Sequence, residues 1–206
     1  NVFLFQAFFQ WKYKANDKLV INGGLHSQLY TMNKNSKSLE PRAGLSYKLD
    51  EKSSINFGIG LHSQMLPSYQ YTFQQQLPGN TFALLNDEVG FIRSFHNVLG
   101  YDRMLSDNFR LKLETYYQYL FDVPVEIKPS AFSLANEGSG FSRFFPDSLQ
   151  NTGTGKNYGV ELTLEKFFSN HFFFLATGSL YNSLYTGSDG IERKTDFNGN
   201  YAANLL

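Results

Sequence analysis

Residues 154–168 read TGKNYGVELTLEKFF, Ser169-Asn170 follows, and residues 171–185 read HFFFLATGSLYNSLY. Tyr158, Val160, Leu162 and Leu164 fall on one side of an extended chain, with Gly159, Glu161, Thr163 and Glu165 on the other. A period of two specifies a strand, and Ser169-Asn170 reads as a short polar reversal into the next one. Each strand runs about a dozen residues, longer than the roughly five or six usual in soluble sheets. That length suits a tilted strand crossing a bilayer, where about 9–11 residues span the apolar layer.

The same alternation extends in both directions. Val2 to Lys14 sets Phe3, Phe5, Ala7, Phe9, Trp11 and Tyr13 against Gln6, Gln10, Lys12 and Lys14. Strands follow at Lys18–Met32, Leu39–Leu49, Ser53–Leu66 and Arg93–Leu105. Another opens at Phe109, and a ninth spans Asn198–Leu206. Short polar turns near residues 16, 50, 107 and 169 alternate with loops at 33–38, 67–91, 123–153 and 186–195. Short turns at one end and mostly longer loops at the other give the up-and-down rhythm of an outer-membrane barrel. Aromatic side chains crowd the strand ends: Trp11 and Tyr13, Phe167 and Phe168, and Tyr117, Tyr119 and Phe121. Such rings favour the headgroup level.

The expected fold is therefore all-β: a partial transmembrane antiparallel barrel of about nine strands. Single-chain bacterial barrels have even strand numbers. An odd count, a start inside the pattern at Val2 and an end inside it at Leu206 mark residues 1–206 as a segment of one larger barrel domain. A soluble sandwich or barrel is the competing reading, since a buried core also produces alternation.

Composition narrows the function. The 18 basic and 18 acidic residues cancel, which leaves no basic surface for nucleic acid. With no cysteine, disulfides and thiolate metal sites are excluded. No run of 18 apolar residues suggests a transmembrane helix, a test that barrel strands escape.

No stretch carries a catalytic signature. Glu114, Glu161 and Glu165 alternate with apolar neighbours, but no poised nucleophile or third group accompanies them. His26 and His62, each followed by Ser, are candidates for a metal-binding pair, although two polar wall residues are the simpler reading. Gly153-Thr154-Gly155-Lys156 lacks phosphate-loop spacing and precedes a strand. Gly187-Ser188-Asp189-Gly190 reads as a turn without calcium-loop spacing. We thus expect no enzyme, cofactor or metal.

His26, Arg42, His62, Arg110, Glu114, Glu161 and Glu165 are candidate lumen-facing residues, together with Lys12, Lys48 and Lys112. Opposite charges there either pair across strands or hold an internal plug. Loops on a rigid scaffold are common binding sites, so Tyr69, Tyr71, Phe132, Phe141, Phe144 and Phe145 are candidate ligand contacts, with loop-on-loop packing as the alternative.

Several motifs in order carry a family resemblance: LEPRAGL at 39–45 followed by Tyr47, GLHSQ at 60–64, LGYD at 99–102, LETYYQ at 113–118, NTGTGKNYGVE at 151–161 and FNGNY at 197–201. Together they resemble TonB-dependent outer-membrane receptors of Bacteroidota, of the type with a carboxypeptidase-like regulatory domain before the plug. The resemblance implies a barrel of about 22 strands, filled by a plug belonging to the same full-length chain and driven by a TonB-type energy-coupling complex. It implies residence in the cell outer membrane and transport of a scarce nutrient. Partners would be outer-membrane lipid, the plug, the coupling complex, an unidentified nutrient and a surface lipoprotein. The motifs mark strands and turns, so no ligand-binding residue is carried over. A plugless channel, assembly factor or adhesin barrel is the first alternative, and a soluble β-rich binding module the second.

Overall fold

The computed structural model describes residues 2–138 and 148–206. Strands β1 (Leu4–Lys14), β2 (Leu19–Tyr30), β3 (Lys37–Lys48) and β4 (Ser53–Gln64) each pair antiparallel with the next. The chain then leaves the sheet for helix α1 (Ser68–Tyr71) and a small hairpin, β5 (Gln74–Leu77) with β6 (Thr81–Leu84). It returns as β7 (Ile92–Ser106), β8 (Phe109–Glu126), β9 (Leu149–Ser169) and β10 (Phe172–Thr186). The ninth position is shared by β11 (Glu192–Lys194) and β12 (Tyr201–Leu205), both paired with β10. The result is one continuous antiparallel sheet in strict sequence order.

Register preserves the alternation across the sheet. Phe9 pairs with Leu25, Leu45 with Phe57, Phe57 with Leu99, Leu113 with Leu162 and Leu164 with Ala176, all on one face. A slip of one residue would mix the faces. No second sheet covers the apolar face among the described residues, and Phe9, Leu99, Val160 and Leu180 are exposed on it. A soluble sandwich would bury such side chains, each worth about 1.5–3 kcal/mol when taken out of water.

The turns explain the strand ends. Ser169 pairs with Phe172, so the reversal comprises Asn170 and His171, one residue later than the polar pair alone suggests. Both have positive φ, 51° and 70°, as a two-residue type I′ turn requires. Lys166 Nζ donates to the carbonyls of Ser169 and Phe172 at 2.8 and 3.0 Å, and lies over the Phe172 ring. At the opposite end, pairing runs further than alternation foretells. β8 continues to Glu126 and β9 begins at Leu149, through register shifts around Val123 and a positive φ at Asp122. The loop expected over 123–153 is therefore only 127–148, and the one over 186–195 contains β11.

The ninth strand, expected over Asn198–Leu206, is shorter, β12 at Tyr201–Leu205, and β11 precedes it inside the expected loop. Between them FNGNY folds back onto β10: the Asn198 side chain accepts from Ser183 N at 2.6 Å, and the Asn200 carbonyl accepts from Tyr181 N at 2.9 Å. Asn200 takes a φ of 63°, which asparagine tolerates better than most residues.

An apolar core lies beyond the long-loop end of the sheet. Tyr30, Leu66, Tyr71, Val89, Phe91 and Leu149 bury one another there, with Met32, Phe132 and Leu134 against them.

Candidate functional site

Two regions have the geometry of a site: the polar face of the sheet and the cap of loops above it. On the polar face, Glu40 is the hub. It is 1% exposed, and its carboxylate accepts from Gln28 Nε2 (2.7 Å), Ser38 Oγ (2.8 Å) and Arg42 (2.8 Å), with His26 Nδ1 at 2.9 Å. A buried carboxylate persists only when its lone pairs are occupied, and here four side chains from β2 and β3 occupy them.

Next to this hub, His62 packs against His96 with ring centroids 4.4 Å apart and the rings tilted by 49°. The Gln118 amide donates to His96 Nε2 at 2.7 Å, and the Asn157 amide to Gln118 Oε1 at 2.8 Å, so one relay crosses β7, β8 and β9. The histidine pairing thus differs from the expected one. His26 is bound to Glu40, and the partner of His62 is His96. No group of three or more metal-ligating side chains forms among the described residues.

Towards the short-turn end, Arg110 is paired with Asp102 and lies 3.6 Å from Glu165, and Lys112 is 2.6 Å from Glu114. Glu161 stands directly opposite Glu114 in the register, exposed and without an ion pair among the described residues. His26, Arg42, His62, Arg110, Glu114, Glu161 and Glu165 all share this face. So does Phe8, which pairs with His26 and is 82% exposed, a large apolar side chain among polar ones.

The cap rests on asparagine side chains. Asn151 accepts from Gly90 N (2.8 Å) and donates to the carbonyls of Asp122 (2.7 Å) and Gly90 (3.3 Å). Asn86 accepts from Leu149 N at 2.8 Å, and Asn33 and Asn35 donate to the carbonyls of Val89 and Glu88. These bonds tie four chain segments together where no ladder exists. The stretch 151–161 acquires a physical reading: Asn151 fastens the cap, and Gly153 lets two strands close. A Cβ on Gly153 would lie 2.4 Å from Val125 Cγ1 and 2.9 Å from the Val123 carbonyl.

Between cap and polar face is a cavity of about 420 Å³, lined by Gln64, Leu66, Tyr69, Gln70, Leu120 and Glu137 among others. Burial and the nearby Asp196 push the Glu137 carboxyl above its ordinary pKa. Of the candidate ligand contacts, Tyr69 lines this cavity. Tyr71 does not fit the role, being fully buried at 5.4 Å from the Tyr30 ring, with its hydroxyl accepting from Leu66 N at 3.2 Å. Phe132 packs against the same core. Phe141, Phe144 and Phe145 lie outside the described residues.

Glu40, His96 and Gln118 were not singled out in the sequence. A signal existed for Glu40, which stands two residues from Arg42 and hence on its face. Its burial depends on Gln28, on another strand. At the turn over 187–190, Arg193 holds the Asp189 carboxylate at 2.6 and 2.9 Å, which keeps its pKa low.

The fold of the sheet recurs in solved structures that the chain resembles. The siderophore receptor PirA from Acinetobacter baumannii superposes with a TM-score of 0.70 at 16% identity, over 98% of this chain and 30% of that one. The siderophore receptor PiuA from Acinetobacter baumannii gives 0.67 at 15% identity, over 99% and 30%. The RagAB peptide importer gives 0.64 at 12% identity, over 89% and 22%. The fold is that of a β-barrel wall. The sheet is thus an arc of an antiparallel β-barrel, and the chain spans about a third or less of the length of these structures. No family model matches the sequence, and no curated protein matches it.

Proposed function

We propose that this chain is a wall segment of an energy-coupled outer-membrane receptor that imports a scarce nutrient. The observation that carries the reading is the division of one unbroken sheet into an uncovered apolar face and a polar face of paired charges. A bilayer on one side and a hydrated lumen on the other account for both. The superposition on receptor barrels supports the same assignment, as does the order of motifs that resembles the TonB-dependent receptors of Bacteroidota.

In this reading the apolar face meets outer-membrane lipid, and the polar face meets a plug supplied by the full-length chain. A TonB-type complex acts through that plug. The cap holds the mouth open above the lumen, and the cavity beside Tyr69, Gln70 and Glu137 receives cargo. The segment contributes binding and passage and performs no bond-making chemistry.

The test uses the full-length protein in its own cells. It should fractionate with the outer membrane, need detergent to stay monodisperse, and migrate differently before and after heating. Uptake of its nutrient should stop when the coupling complex is deleted. Heat-modifiable β-structure with uptake that ignores the coupling complex would replace this reading with a passive channel. A freely soluble, cooperatively folding protein would replace it with a binding module.

A further inference from the structure

The wall parts between β3 and β4. Their ladder runs from Lys48 opposite Ser54 to Arg42 opposite Gly60 and ends there. Both strands nevertheless continue, with residues 37–41 still paired to β2 and residues 61–64 still paired to β7. Pro41 stands where the pairing ceases. Lacking an N–H, it cannot extend the ladder. Side chains bridge the opening instead: Gln28 Nε2 donates to the Ser63 carbonyl at 3.1 Å, and the Arg93 guanidinium to the Lys37 carbonyl at 3.4 Å.

This parting forms a cleft of about 710 Å³ that opens on the apolar face and reaches inward to Gln28, Ser38 and His62 of the polar face. Its lining combines Leu29, Leu39, Leu61 and Phe121 with two cations, Lys37 and Arg93. Register places all six on the face of Leu25, Phe57 and Leu99. Lys37 is exposed and has no ion pair among the described residues, whereas Arg93 lies 3.5 Å from Asp122. Lys37 to Tyr47, and Arg93 to Arg103, are steps of ten residues towards the short-turn end. At about 3.3 Å per residue and a tilt near 40°, that is a height of about 25 Å, the extent of a barrel's apolar band. Both cations therefore stand at the outer headgroup level with aliphatic side chains below them. Lys37, a cation without an ion pair among the described residues, is costly on a lipid-facing surface unless an anion meets it, and Arg93 adds a second positive charge beside it.

We propose that the cleft binds a membrane lipid carrying a phosphate, with the phosphate between Lys37 and Arg93 and the acyl chains along Leu29, Leu39, Leu61 and Phe121. The proposal rests on the reading of this chain as an outer-membrane wall. It assigns Pro41 a role beyond ending a ladder: the residue opens a lipid slot in an otherwise closed surface.

The full-length receptor in detergent is titrated with dioleoyl phosphatidic acid, with dioleoylglycerol and with glycerol phosphate, and adducts are read by native mass spectrometry. One saturable phosphatidic acid adduct is expected, with at least tenfold weaker binding of the other two. The Lys37→Ala/Arg93→Gln double variant should bind it at least tenfold more weakly, while Lys128→Ala, a cation outside the cleft, binds it unchanged. Equal binding by the double variant overturns the proposal, as does equal binding of dioleoylglycerol or of glycerol phosphate. Heat-modifiable migration is recorded for every sample. A wild-type receptor without it refutes the wall reading itself, whereas folded barrels indifferent to these substitutions refute only the lipid site. If the double variant does not fold, Lys37→Ala alone must lower binding at least threefold, and no change overturns the proposal.

Discussion

Tyr71 links the cap to the sheet, and replacing it separates the two energetically. The side chain is fully buried, its ring 5.4 Å from Tyr30 and its hydroxyl accepting from Leu66 N at 3.2 Å. Tyr71→Phe removes only the hydroxyl and leaves a buried N–H without a partner, a loss of about 1–2 kcal/mol. Tyr71→Ala also removes the ring, and burying no substitute leaves a cavity, for a total of about 3–5 kcal/mol. The sheet ladders stay intact, so the loss falls on local opening of the cap. Amide exchange in the detergent-solubilised full-length protein should then accelerate about 10-fold for Tyr71→Phe and about 10²–10⁴-fold for Tyr71→Ala across residues 65–91. Amides in β8 and β9 below residue 120 and above residue 155 should not change. Identical cap exchange in wild type and Tyr71→Ala would refute the claim that this core holds the cap. Equal acceleration of cap and wall would refute their independence.

Other consequences are open to direct measurement. Gly153→Ala places a Cβ against Val125 Cγ1 and the Val123 carbonyl, so it should cost about 1–3 kcal/mol as overpacking. Val125→Ala in the same chain should restore part of that in a heat-modifiability midpoint, whereas simple additivity would show the contact to be irrelevant. Glu40→Gln removes the charge at the hub of His26, Gln28, Ser38 and Arg42 and should destabilise by about 2 kcal/mol, discounted for the exposure of Arg42. Its effect combined with Arg42→Gln should fall short of the sum of the two single losses. Trp11, the only tryptophan, covers Gly23 on the apolar face near the short-turn end. Its emission should be blue-shifted in liposomes and quenched most by lipids brominated near the headgroup, and quenching only by an aqueous agent would place the apolar face in water.

What the sequence by itself determined was everything local. Alternation from Phe3 to Tyr13 or from Tyr158 to Leu164 assigns each residue to a face, because a strand has a period of two whatever it pairs with. Short turns at one end and loops at the other then dictate neighbour order, since consecutive antiparallel strands joined by tight turns must lie side by side. His26, Arg42, His62, Arg110, Glu114, Glu161 and Glu165 were legible as one polar face for that reason. Only the tertiary structure decided which of them touch. Glu40 is buried because Gln28 and His26 come from another strand, and His62 meets His96 because of a register set between β4 and β7. The cap was illegible for the same physical reason. Its order arises from asparagine bonds spanning 29 to 63 residues and from a core assembled out of separate loops, which have no period to read. The parting of β3 from β4 lies between these cases: Pro41 announces a missing donor, but which neighbour loses it is fixed only when the sheet closes around it.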